Sequence, residues 1–123
     1  MPTVSHLLLS RIAIFLVAGG VTGALFINAC DLLFDCGCRS WWDGAADLCN
    51  VHHARPPHCP LCVAEGIGGY ASFAMILCVQ GLITFWPSGL VVWKRATAAF
   101  LAFPVVGVFC GLVLGGITGY WTH

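Results

Sequence analysis

The chain alternates between long uncharged apolar stretches and one polar, cysteine-rich interval. Uncharged runs extend from Ile12 to Cys30, from Gly66 to Trp86 and from Ala96 to Trp121. The first run has 19 residues, which at about 1.5 Å of helical rise each match a hydrocarbon layer about 30 Å thick. Trp86-Pro87 closes the second run and Tyr120-Trp121 the third, with aromatic rings suited to an interface and a proline suited to a helix end. Pro104 is a position where the third helix can bend. The pattern predicts an all-α integral membrane protein, a single membrane domain over residues 1–123. Its three transmembrane helices lie near 12–30, 66–86 and 96–121, and an irregular Cys/His-rich loop over 31–65 joins the first two. The connection 88–95 is expected along the membrane surface.

Composition supports lipid as the main solvent. The chain is 59% hydrophobic and 8% charged, against about 25% charged in a soluble domain. Five basic and five acidic residues cancel, so no global field points to nucleic acid. The charge is unevenly placed. Residues 30 to 65 hold all five acids (Asp31, Asp35, Asp43, Asp47 and Glu65), six of the eight cysteines and three of the five histidines. Lys94 and Arg95 fall in the short connection between spans two and three, so the positive-inside rule puts that turn in the cytoplasm and the 31–65 loop outside it. The expected location is a plasma or bacterial inner membrane. A competing reading of the first run is a leader, because Ile27-Asn28-Ala29-Cys30 resembles a lipoprotein cleavage site.

Gly107, Gly111, Gly115 and Gly119 recur at every fourth position of the third span. That spacing makes one slowly drifting stripe on a helix, and in lipid close backbone approach at small residues is a main source of helix association. The stripe is read as the packing face of a three-helix bundle or, alternatively, as the site of self-association or docking to other membrane subunits. Gly19 with Gly23, and Ala64 with Gly68 and Ser72, offer smaller faces of the same kind. Gln80 is a buried amide that needs a partner on another helix. Cys78 and Cys110, both mid-span, are read as packing residues.

The loop carries the chemistry. Cys49-x-x-His52 and Cys59-x-x-Cys62 are two ligand pairs joined by a connection containing Arg55-Pro56-Pro57. Two residues between ligands let both side chains reach one ion, and four such ligands suit tetrahedral zinc. A Cys3His zinc site of Cys49, His52, Cys59 and Cys62 is therefore expected, with His53, His58, Cys36 and Cys38 as alternates; copper and iron-sulfur chemistry share these ligand types. A loop too small for its own core would also gain folding free energy from the ion. The competing reading is a disulfide-stapled cap, for which six loop cysteines allow fifteen pairings.

Cys59-Pro60-Leu61-Cys62 also lies just before the second span, where a helix N-terminus favours a thiolate. In this it resembles the membrane enzymes that pass electrons from protein thiols to quinone, which carry a C-x-x-C at the outer end of a membrane helix. The resemblance implies a redox pair in Cys59 and Cys62 with quinone as acceptor. Those enzymes have at least four spans. No Ser/His/Asp arrangement, phosphate-binding glycine loop or intramembrane carboxylate is present to support a hydrolase, a nucleotide-binding protein or a proton pump. The reading favoured by the residues is a non-enzymatic accessory subunit or metal-handling factor of a membrane complex. A thiol oxidoreductase is the second reading and a purely structural, disulfide-stapled subunit the third.

Overall fold

Long apolar runs in lipid must satisfy their backbone within one segment, and helices do so. The computed structural model describes residues 4–86 and 89–122, and contains three long helices with no strand among the described residues. Helix α1 spans Val4–Phe34, α2 Val63–Phe85 and α3 Val92–Thr118. Each is long and apolar enough to cross a membrane. Pro87, expected to end the second helix, lies outside the described residues.

The helices overrun the boundaries read from charge. Helix α1 starts before Ile12 and continues four residues past Cys30, so its 31 residues extend about 46 Å and outreach a hydrocarbon layer of about 30 Å. Arg11 is tolerated inside it because its guanidinium donates to the Phe85 carbonyl at 3.2 Å. Helix α3 starts at Val92, which places Lys94 and Arg95 in its first turn and not in the connection before it. Arg95 is buried and donates to the carbonyls of Ile83, Thr84 and Trp86 at 2.9, 3.1 and 3.0 Å. The last carbonyls of a helix have no intrahelical donor, and a cation there satisfies both the hydrogen bonds and the dipole. The C-terminal end of α2 is thus closed by arginines from both of its neighbours.

Buried positions follow helical stripes. In α1 they are Ile14, Ala18, Thr22, Cys30 and Phe34, all in one every-fourth-residue row. In α2 they include Ser72, Ile76, Gln80 and Thr84, again four apart. The rest of the surface is crowded with exposed Leu, Val, Ile, Phe and Trp, as a lipid-facing bundle requires. Gln80 finds partners on both other helices, donating to the Thr22 hydroxyl at 2.8 Å and to the Ala99 carbonyl at 3.1 Å. Gly19 receives Leu77 and Gly23 receives Phe73, so α2 packs on that pair of glycines.

The α3 glycines are divided among different tasks. Gly107 faces Ile76 of α2, Gly111 faces Leu33 and Phe34 of α1, and Gly115 lies under the Trp121 ring. Gly119 is one residue beyond the helix, where its left-handed φ of 66° forms the C-cap. Cys110 is buried and directs its thiol to the Met75 sulfur, whereas Cys78 is exposed on the outer face of α2 and packs in no core.

A side chain at Gly111 would meet Leu33 Cδ2 at 2.0 Å. Gly111→Leu should therefore lower stability by about 1–3 kcal/mol through overpacking, while Val113→Leu on the exposed face should change it by less than about 0.5 kcal/mol. Unfolding of both variants in detergent micelles measures the difference, and equal effects would show that α1 and α3 do not meet closely at Gly111.

Candidate metal centre

The sulfur-bearing segments are positioned by the two helix ends that flank the loop. Cys30 is carried by the penultimate turn of α1, and Cys62 is the residue that precedes the first turn of α2. Helix α1 ends where Asp35 adopts a left-handed φ of 48°. Asp31 then accepts the Gly37 N–H on its carboxylate at 2.7 Å, which turns Cys36 and Cys38 back toward Cys30. Gly37 is required there: its φ is +88°, and a Cβ would stand 2.5 Å from the Leu48 carbonyl oxygen. The Asn50 N–H donates to the Cys36 carbonyl at 2.7 Å and brings Cys49 alongside. A tight turn, with the Cys62 N–H donating to the Cys59 carbonyl at 3.0 Å, presents the last two sulfurs together. That turn lies on the start of α2 because Gly68 and Gly69 leave room for the backbone of Pro60 and Leu61; a Cβ at Gly68 would be 2.5 Å from the Pro60 oxygen.

All six of these cysteines therefore meet in one cluster. Cys30, Cys36, Cys38, Cys49 and Cys59 are buried and Cys62 is half-buried. Their sulfurs form four groups of three, Cys30/Cys36/Cys59, Cys30/Cys38/Cys62, Cys36/Cys38/Cys49 and Cys49/Cys59/Cys62, with every sulfur of a group within 4.8 Å of the others. The separations of 3.3 Å for Cys30 to Cys59, 3.6 Å for Cys30 to Cys36 and 3.8 Å for Cys38 to Cys62 are contacts, not bonds. A disulfide bond is about 2.05 Å. All eight cysteines are free, and the disulfide pairing weighed as an alternative finds no pair at bonding distance.

The predicted ligand set is partly assembled. Cys49, Cys59 and Cys62 form one of the groups, and the alternates Cys36 and Cys38 join neighbouring ones. The histidines are directed elsewhere: His52 Nε2 pairs with the Ala46 carbonyl at 3.0 Å and His58 Nε2 with the His53 carbonyl at 2.9 Å, while His53 is exposed. No histidine nitrogen belongs to a sulfur group among the described residues. Cys30, which ends the first apolar run, is the sixth member and comes from within a helix.

No family model matches this chain, and no curated protein or solved structure matches it.

Around the sulfurs lies a shell of apolar side chains with one polar brace. Phe34, Leu61 and Tyr120 are buried against the cysteines, and Phe26, Ile27, Leu33 and Leu114 pack on them. Asn50 accepts the Cys59 N–H on Oδ1 at 2.6 Å and donates from Nδ2 to the Tyr120 hydroxyl at 2.8 Å. That hydroxyl in turn donates to the Phe34 carbonyl. The brace ties the loop to α1 and to the C-terminal turn, where Tyr120 and Trp121 pack on Phe34 with ring centroids 5.0 and 5.3 Å away. Burial pushes the Tyr120 phenol above its ordinary range, keeping it a neutral donor. Burial likewise pushes the Cys49 thiol up to about 11, so a metal binding there displaces a proton. Asn50 and Tyr120 were not legible as site residues, since their link joins positions 70 apart.

Asn50→Ala should strand the Cys59 N–H and cost about 1–3 kcal/mol, and Tyr120→Phe should cost less because the Asn50–Cys59 bond survives. The rate at which native Cys59 reacts with a thiol reagent should rise in the order wild type, Tyr120→Phe, Asn50→Ala. An unchanged rate in both variants would mean that the brace does not hold the site closed.

Proposed function

We propose that this chain is a small integral membrane protein whose cysteine cluster holds a thiophilic metal, and that it serves as a metal-handling factor or accessory subunit of a membrane complex. The observation that carries this reading is the convergence of six free sulfurs, within 4.8 Å of one another in groups of three, from three separate chain segments. Mutually close thiolates repel and thiols gain little from such crowding, so an ion that binds several at once is what makes the arrangement favourable. Soft thiolate ligands select zinc, cuprous copper or iron-sulfur centres over hard cations. The apolar shell and the three membrane helices would keep the ion out of water and attached to a bilayer.

A second reading is favoured by one observation. Cys30, a member of the cluster, also lines an apolar groove of about 290 Å³ between α1 and α3, with Phe26, Leu33, Leu61, Phe103 and Pro104 among its walls. A quinone ring in that groove would lie beside Cys30, whose sulfur is 3.3 Å from that of Cys59, one of the two cysteines of the redox reading.

The two are separable in one preparation. On the metal reading, protein purified without added metal contains metal held by thiolates, and a strong chelator exposes new reactive thiols with no reductant present. On the redox reading the reduced cysteines are metal-free and exogenous quinone oxidises them in pairs. Metal-free protein that quinone does not oxidise would overturn both.

Arg11 and Arg95 both bind the C-terminal end of α2, opposite the sulfurs, and Lys94 precedes Arg95 in the chain. The positive-inside rule then makes that end cytoplasmic and the cluster extracytoplasmic. A membrane-impermeant thiol reagent applied to intact cells should modify a cysteine introduced at Trp42 and spare one introduced at Lys94. The reverse pattern would invert the orientation.

A further inference from the structure

The sulfur groups share their members in a specific way. Each of the six cysteines belongs to two of the four groups, and any two groups have one sulfur in common. Every sulfur therefore has four of the other five within 4.8 Å, and the remaining pairs are Cys30 with Cys49, Cys36 with Cys62 and Cys38 with Cys59. Six points with those neighbours form an octahedron in which the three remaining pairs are opposite corners. The four groups are alternate faces, and the same distances make the other four faces, such as Cys30/Cys36/Cys38, equally close triples.

This pattern discriminates between metals by coordination number. A tetrahedral ion needs four sulfurs that are all mutual neighbours, at about 3.8 Å for metal–sulfur bonds of about 2.3 Å. Any four corners of an octahedron include an opposite pair, and among the described residues the sulfur groups have three members and not four. Two zinc ions sharing two bridging thiolates would likewise produce groups of four. A four-iron cluster places its cysteine sulfurs at the outside of a cube of iron and sulfide, farther apart than these lie. A trigonal ion with bonds of about 2.3 Å needs only three mutually close sulfurs, about 4.0 Å apart, and each of the four groups supplies three within 4.8 Å. Cuprous copper is a soft ion that thiolates select, and it accepts three of them in a plane.

Resting on the metal reading above, we propose that the six cysteines hold four cuprous ions as one copper-thiolate cluster, each ion on one three-sulfur face and each sulfur bridging two ions. Filling alternate faces of an octahedron with edges of about 4.0 Å sets the ions about 2.7 Å apart, whereas filling all faces would bring them within about 1.9 Å. Four is therefore the capacity. Binding is a ligand exchange with no redox step: the six sulfurs lose their protons to solvent, four monovalent ions enter, and two negative charges remain on the cluster. The positive end of α2, which begins beside Cys62, offsets part of that charge. That the groups contain no histidine among the described residues fits a soft ion that prefers sulfur throughout.

The test is an anaerobic titration of reduced, metal-free, full-length protein in detergent micelles with a cuprous acetonitrile complex, in competition with a chromogenic cuprous chelator. Copper per chain should saturate at four with a steep, cooperative rise, and X-ray absorption should show three sulfurs per copper and copper–copper scattering near the spacing above. Cys30→Ser removes a sulfur shared by two groups and should reduce the capacity from four to two, while Cys78→Ser, outside the cluster, should leave four. Saturation at one or two cuprous ions by the wild-type protein would overturn the four-ion cluster. Uptake of zinc or cobalt(II) with tetrahedral sulfur spectra, and no cuprous binding, would overturn the copper assignment and leave the metal reading intact. Failure to bind copper, zinc or cobalt would overturn both.

Discussion

The arrangement of the thiol end depends on one constraint: the last turns of α1 and the first turn of α2 must be held side by side at a set distance. Cys30 is mounted on the first of these, and Cys59 and Cys62 lead directly into the second. The close approach comes from deeper in the bundle, where Gly19 and Gly23 admit Leu77 and Phe73, and from the Phe26–Phe73 edge contact with centroids 5.6 Å apart. Polar bonds reinforce it, because the Gln80 amide reaches Thr22 of α1 and Ala99 of α3 within an apolar interior. The loop then completes a frame whose two sides are already placed.

The two ends of the bundle solve different electrostatic problems. At one end, Arg11 and Arg95 satisfy the final carbonyls of α2, and the cationic side chains do the work of caps that a lipid environment cannot supply. At the other, six sulfurs are enclosed by aromatic and aliphatic side chains, with a single amide and a single phenol as polar brace. Apolar enclosure raises the cost of charge on any one sulfur, and metal ions shared among them would lower it for all at once. The loop also stays close to the bundle. Trp41 donates to the Gly23 carbonyl at 2.7 Å and Ser40 to the Asn28 side chain at 3.0 Å, so the chain folds back along α1 before returning to the cluster.

Much of this was legible in the residues, for physical reasons that can be named. Three uncharged apolar runs leave the backbone no option in lipid but helix, and the concentration of cysteines between the first two marks the chemical segment. The boundaries were not legible in the same way. Charge was read as the end of a span, yet Arg11 and Arg95 lie inside helices because carbonyls of α2 are within reach. Regular glycine spacing in α3 pointed to one continuous groove, whereas Gly107, Gly111 and Gly115 face three different neighbours and Gly119 ends the helix.

By itself the sequence determined the all-helical class, the number of helices long and apolar enough to cross a membrane and the inventory of cysteines, because hydropathy and residue chemistry are local properties. Only the tertiary structure decided which ligands share a centre. Spacing along the chain favoured pairs two residues apart and therefore a Cys49, His52, Cys59 and Cys62 set. The packing instead brought in Cys30 from a helix and Cys36 and Cys38 from the turn after it, and directed His52 and His58 to backbone carbonyls. Coordination depends on distances between side chains from different segments. Those distances are set by how α1, α2 and the Asn50–Tyr120 brace fit together, which no local pattern encodes.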